Sequence, residues 1–508
     1  MNDSLVLTNA NIITMNPKQP RARAVAVRAG HIHAVGASDE IDAFDADARV
    51  IDLRGKTVLP GLIDSHLHFT GTGIKAMALD FSRAGSAADV QDTLREAAVE
   101  EARGELLFGM GINHYRLAAG RLPGIRDLDR AAPEHPVFIV GATGHNSLVN
   151  SMGLDMLDLP DNALEFYADG CLRGRAHEIA VERMRSRFVE KTGLDVFQKK
   201  AADLALEVGL TTVHALEGRN APDDPSVASL VDLAPGLALR IVPWYQTLDV
   251  DAVHRFGLQR IGGCILLDGD FGPHTAAMLE PYTDQPDNHG ILYYPQEGID
   301  AFVEKAHRAG LQIAMHAVGD RAAAQALGAY EKALEKWPDR NHRHRIEHFE
   351  IYDDTLVKKA VKLGIHLGIQ PPFNYHFGGH RRLDNLLGRQ RALRSDPLKS
   401  LIDAGVPVGG GSDSYVTPMN PVYSIHCAVN HSLPEERLDA ERAIQLYTID
   451  NARLGFEEKD KGSIETGKLA DFTIVSQDPT EAPPDRIKEI GVEMTIIGGQ
   501  VVFDITKQ

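Results

Sequence analysis

Two histidines one residue apart, His66 and His68 in Asp64-Ser65-His66-Leu67-His68, are the first feature that could do chemistry. On a strand, positions i and i+2 share a face, so both imidazoles would turn the same way. Two neutral imidazoles side by side suit a divalent transition metal. Alone the spacing is weak evidence, because core and surface histidines also occur in this pattern. Three later residues strengthen it: His316 in MHAVGD, His348 in RIEHFE and Asp413 in GGGSDS. Each ends an apolar, strand-like run, and any one of them could be a satisfied core or capping residue. Together they form a set of polar strand ends of the kind that builds a site at the C-terminal face of a βα barrel.

The elements that would position these residues follow from the pattern between them. Apolar runs such as PVFIVGATG, GLTTVHAL, LQIAMHAVGD and GIHLGIQPP alternate with longer amphipathic stretches, LDVFQKKAADLALEVG and IDAFVEKAHRAG among them. That rhythm predicts βα units around a parallel sheet. The expected fold is α/β, a (β/α)₈ TIM-type barrel over residues 59–464 with an insertion around 70–200 beside the site. Residues 5–58 alternate apolar and polar positions between turn signals, and KLADFTIVSQDP and EMTIIGGQVVFD return to that pattern near the C-terminus. Short antiparallel strands at both ends predict a small β-sandwich domain built from residues 1–58 and 465–508.

Composition narrows the function classes. The chain has 508 residues, 43% hydrophobic and 24% charged, ample material for a folded core. A net charge of −18, with no basic tract interleaved with aromatics, argues against nucleic acid as a partner. Cys171, Cys264 and Cys427 lie far apart and form no CxxC pair, so neither a disulfide framework nor a thiolate zinc site is expected. They read as buried small hydrophobes. The N-terminal segment lacks a basic n-region, and no run of about 20 apolar residues occurs, so a soluble cytoplasmic protein without a membrane partner is expected.

The ordered segments VLPGLIDSHLH, HNSLVNS, LEPYTDQP, MHAVGDRA, RHRIEHFE, GSDSYVTPMNP and GSIETGKLADFTIV span essentially the whole chain. Through them the sequence resembles the amidohydrolase superfamily, and within it the amidohydrolase-3 branch of N-substituted formamide deformylase-like enzymes. The resemblance implies that His66 and His68 ligate the more buried metal, that His316 and His348 ligate a second metal or polarise substrate, and that Asp413 is both ligand and general acid/base. A metal-activated water would lose a proton to Asp413 and attack the carbonyl, and Asp413 would return the proton to the leaving group. One or two divalent ions, zinc first, are implied, with a small-molecule substrate and water as the partners and a homo-oligomer as the family expectation.

Many superfamily members bridge two metals with a carboxylated lysine at the end of the fourth barrel strand. In this chain the corresponding segment is taken as TTVHALEG, which offers His214 and Glu217 instead, and GRAHEIA upstream offers Glu178. Glu178 is the first choice for the bridge and Glu217 the second, while His214 is expected in the core or behind the ligands. His145, in GATGHNSLVNS, is implied in substrate hydrogen bonding or oxyanion stabilisation, against a structural role supported by Asn146. Asp320 and Arg321 would support a ligand or bind a substrate anion. The loop DGDFGPHTAA departs from the family pattern at Asp270, Phe271 and His274, which implies a reshaped pocket. Phe373, Asn374 and Tyr375, after another strand end, are candidates for substrate contact.

The expected reaction is hydrolysis of a non-peptide C–N bond in an amide, formamide or cyclic amide. Deamination of a heterocycle on the same site, with Glu217 as proton donor, competes with it. A metal-dependent decarboxylase or isomerase, or a non-catalytic scaffold on the same fold, stands further off.

Overall fold

The structure is a computed structural model, and it describes residues 4–37, 41, 45, 47–112, 117, 122–142, 146–160, 167–219 and 223–507. Eight strands pair in parallel in chain order: Leu62–Leu67, Leu210–Glu217, Arg240–Tyr245, Arg260–Leu266, Gln312–Ala317, Arg345–His348, His366–Ile369 and Val408–Gly410. The sheet closes where Leu67 bridges Ser414, with Asp413 N donating to His66 O at 2.8 Å and His68 N to Ser414 O at 2.7 Å. The expected (β/α)₈ barrel is therefore present. Its first, second, fifth and sixth strands are buried at every position, as required when helices cover one face and packed side chains fill the other.

The helices between the strands are amphipathic for the reason read from the sequence. Gln296–Arg308 buries Ile299, Phe302, Val303 and Ala306 along one stripe and ends on Lys305, His307 and Arg308, which complement its negative dipole end. Asp354–Leu363 starts where the Asp353 carboxylate accepts from Thr355 N and Leu356 N.

The chain ends build two further sheets, one from both termini and one from N-terminal strands alone. Thr57–Pro60 pairs antiparallel with Phe472–Val475, which continues through Val492–Ile497 to Gln500–Asp504. A four-stranded sheet holds Ser4–Thr8, Ala24–Arg28, His31–Gly36 and Arg49–Asp52. Leu5, Val25, Val58, Phe472 and Ile496 meet in one core, so the small sheet domain expected from both termini is present. Its pairing is mixed, because Ser4–Thr8 runs parallel to Arg49–Asp52 and Asn11–Ile13 parallel to Thr57–Pro60.

Residues Thr70–Ala201 form a separate compact unit. Its six-stranded sheet contains Leu107–Ile112, Val137–Gly141 and Asn146–Val149, over a core of Val90, Leu94, Leu128 and Ile139. The run PVFIVGATG, expected as a barrel strand, belongs to this sheet instead. It pairs parallel with Leu107–Ile112 and antiparallel with Asn146–Val149. A fully buried strand of either sheet carries the same continuous apolar run. Among the described residues no helix is long and apolar enough to cross a membrane.

At the N-terminal end of the barrel strands, the imidazoles of His307, His342 and His344 lie together. His344 Nδ1 accepts from Ile313 N at 3.2 Å and its other nitrogen meets His307 Nδ1 at 2.9 Å. His342 Nδ1 accepts from His344 N, and His342 Nε2 donates to Leu363 O. Burial, reinforced by His342 and His307, keeps His344 well below its ordinary pKa, and burial with Arg343 takes His366 to about 3. The unfolded forms bind protons below about pH 6.5 while the folded forms do not. Stability is therefore whole above that pH and falls as pH drops, by about 1.4 kcal/mol per unit for each such group. Urea unfolding at pH 7 and pH 5 is expected to show this loss, and His344→Gln a smaller one. An equal loss in both proteins would contradict the assignment.

Candidate metal centre

Five of the sequence-predicted residues converge at the C-terminal end of the barrel. His66 and His68 come from the first strand and its end, His316 from the fifth, and His348 ends the sixth. Asp413 follows the eighth. Asp413 Oδ1 lies 3.3 Å from His66 Nε2 and 3.2 Å from His68 Nε2. The His66 and His348 ring centroids are 5.0 Å apart, and those of His316 and His348 4.4 Å. His348 and Asp413 both sit at positive φ, 75° and 52°. Such backbone costs about 1–3 kcal/mol per residue and persists where the surroundings over-determine it, most often at functional sites.

Three of the imidazoles are fixed from behind. His66 Nδ1 donates to Glu347 Oε2 at 2.7 Å, His348 Nδ1 to Gln370 Oε1 at 2.7 Å, and His316 Nε2 to Gly269 O at 3.2 Å. Each outer bond fixes the tautomer and leaves the other ring nitrogen as a lone pair. His66 Nε2 and Asp413 Oδ1 are buried and face each other at 3.3 Å without well-formed hydrogen-bond geometry. The groups His66, His348 and Asp413; His66, His68 and Cys264; and Cys264, His316 and His348 each bring their ligand-capable atoms within 4.8 Å of one another. Converging lone pairs and an unsatisfied buried carboxylate oxygen fit a divalent cation.

The electrostatics have the same origin. Burial opposes charge on His68, but the adjacent Asp413 carboxylate and Cys264 thiol push its imidazole up to about 10. Burial likewise opposes charge on His66, which Asp413 nonetheless holds well above its ordinary value. His316 rises to about 9 against burial through Cys264 and Asp268. In return, and despite burial, the imidazoles hold Asp413 well below the carboxylate range and Cys264 well below the thiol range. The cluster attracts protons because its lone pairs converge on one buried space, the property that also attracts a metal ion.

Behind the ligands lies a buried charged layer. Arg345 and Glu347 stand at i and i+2 on the sixth strand, with Nε to Oε1 at 2.7 Å. Arg345 also donates to Ser65 O and to His214 Nδ1. His214 is thus in the supporting layer, as expected. Asp268 lies 3.5 Å from His316 Nε2 and accepts from Ala277, Val318 and Gly319 N–H groups.

The remaining predicted residues are placed less uniformly. The Phe373 ring stacks on His348, with centroids 5.9 Å apart and planes at 12°. Tyr375 is 37% exposed and packs edge-on against His426. Asn374 is buried and donates to Asp396. His274 pairs with Asp284 at 3.0 Å and lies against Tyr282. Arg321 is exposed in the first turn of Asp320–Lys336, and Asp320 accepts from Leu279 N, which braces a loop. His145 lies outside the described residues, as does the side chain of Glu178 within the helix Gly174–Thr192.

Two readings are corrected. TTVHALEG is the second barrel strand, adjacent to Leu62–Leu67, while the fourth is Arg260–Leu266. Glu217 is buried at the end of that second strand and belongs to none of the metal-capable groups of described residues. Cys264, read as a small hydrophobe, lies on the fourth strand among His66, His68, His316 and His348. The signal available for it was its place after Gly262-Gly263 in a strand ending before DGD.

A family model described as amidohydrolase family, Amidohydro_3, matches residues 49–503. YtcJ of Bacillus subtilis (strain 168) is 28% identical to the chain, covering 97% of it and 98% of YtcJ. The N-substituted formamide deformylase of Arthrobacter pascens is 26% identical, covering 99% and 98%. The solved structure of an uncharacterized metal-dependent hydrolase from Pyrococcus furiosus superposes with a TM-score of 0.79 at 27% identity, covering 94% of this chain and all of that one. With a match of this extent around a histidine and aspartate cluster built for a cation, the chain belongs to the amidohydrolase family and is a metal-dependent hydrolase.

Proposed function

We propose that the protein hydrolyses a non-peptide carbon–nitrogen bond in a small amide, formamide or cyclic amide. The observation that carries this reading is the convergence of His66, His68, His316, His348 and Asp413 at one end of the barrel, with three of the rings held from behind. His66, His68, His316, His348 and Asp413 would hold one or two divalent ions, zinc being well suited to imidazole ligands. Such an ion acidifies water and polarises a carbonyl oxygen.

The chain's own residues supply proton transfer and positioning. Asp413, held as a carboxylate by the imidazoles, takes the proton of the attacking water at a carboxylate oxygen and passes it to the leaving nitrogen. Glu347 keeps the His66 ring in one orientation. Phe373, stacked on His348, offers an apolar face to the substrate beside the reacting centre. His145 is assigned a substrate hydrogen bond. The amide class is favoured by similarity to the formamide deformylase along nearly the full chain.

The test is a panel of N-substituted formamides, N-acyl amines and cyclic amides given to zinc-reconstituted protein. Free amine and carboxylate, or the ring-opened acid, are expected in equal amounts. Ammonia released only from heterocyclic amines would assign deamination instead, with Glu217 as the proton donor to examine. Absence of turnover across all amides would refute the proposal.

A further inference from the structure

Cys264 lies where two halves of the cluster meet. Its Sγ is 3.6 Å from His316 Nδ1 and 3.9 Å from His348 Nε2. It also groups with His66 and His68, and the trios His66–His68–Cys264 and Cys264–His316–His348 have only this residue in common. The backbone is shaped to deliver it. Gly262 pairs with Ala314 and Leu266 with His316, so the fourth strand carries extra residues, a bulge, between those pairs. Gly262 and Gly263 adopt φ of 89° and 78°. A Cβ on Gly262 would stand 2.0 Å from Ala314 O, and one on Gly263 2.2 Å from the Leu216 side chain. Only glycines fit there, and the bulge they form re-aims the residue that follows.

We infer that the Cys264 thiolate is a protein ligand common to both metal positions, taking the part the sequence offered to Glu178 or Glu217. The inference rests on the metal-dependent reading above. Within the metal-capable groups of described residues Asp413 is the one carboxylate, and apart from Cys264 the other members are imidazoles, which bring no negative charge. Two divalent ions in so small a space repel strongly, and a second anion shared between them offsets that repulsion. A sulfur ligand also sets which ions are held, favouring zinc, cobalt or cadmium over magnesium and calcium.

Titration of the metal-free protein with Co²⁺ tests this directly. Wild type is expected to take up about two Co²⁺ per chain and to develop a near-ultraviolet thiolate-to-cobalt absorption band. The Cys171→Ser/Cys427→Ser double variant, in which Cys264 is the sole cysteine, is expected to keep the band. Cys264→Ser is expected to lose it together with roughly half of the bound cobalt. Should Cys264→Ser not fold, the double variant carries the assignment alone. Cobalt bound by wild type without the band, or a band lost in the double variant, would overturn the thiolate ligand and leave the metal-dependent reading standing. No cobalt bound at all would overturn both.

Discussion

Asp413→Asn is expected to fold, to keep its metal, and to turn over about 10²–10⁴-fold more slowly than the parent, the range for loss of a positioned proton-transfer group. The carboxylate is buried within 3.3 Å of both His66 and His68, and among the described residues no other carboxylate shares its metal-capable group. The carboxamide has nearly the same shape and retains an oxygen to face the cluster, so the barrel closure through Asp413 N and His66 O survives. It cannot accept the water proton. Because that transfer belongs to the transition state, kcat should carry the loss while KM changes little. Steady-state kinetics beside metal content and circular dichroism check this, and parent-like turnover would sink the role given to Asp413.

The second large effect falls on stability. Glu347→Ala is expected to cost about 3–5 kcal/mol, the range for breaking a buried ion pair by removing one partner. Arg345 is 1% exposed and Glu347 fully buried. The carboxylate meets the guanidinium through both oxygens and receives His66 Nδ1–H as well. The truncation strands a guanidinium that lies over Trp244 and still donates to Ser65 O and His214. It also frees the His66 ring to rotate. Glu347→Gln preserves the shape and should cost less stability, yet lower metal affinity by about 10–100-fold, as loss of a partner behind a ligand does. Urea unfolding and metal titration separate the two effects. A cost below about 1 kcal/mol for the alanine variant would mean that Arg345 finds other partners.

The legible part of the site was the part with local spacing or a strand-end position. His66 and His68 announce themselves at i and i+2, and His316, His348 and Asp413 each close an apolar run, which is where a barrel strand delivers its side chains. The sheets from both termini were legible because their strands alternate and end in turn residues. Cys264 was hidden because a single cysteine has no partner pattern, and its neighbours in space are 52 to 84 positions away or more. Strand order is hidden for a related reason: Val137–Gly141 is as apolar as a barrel strand, so the sequence does not reveal that TTVHALEG is the second strand of the barrel. The Arg345–Glu347 pair did leave a trace, two opposite charges at i and i+2 in an otherwise apolar strand.

The central claim is that these residues hold a catalytic divalent metal. It is tested most directly by elemental analysis of protein purified without added metal, beside a His66→Ala/His68→Ala variant of confirmed fold. About one to two equivalents of a divalent transition metal per chain in the parent, and a near-complete loss in the variant, is the predicted result. An equal metal content in the two proteins, or none in the parent even after reconstitution, would contradict it.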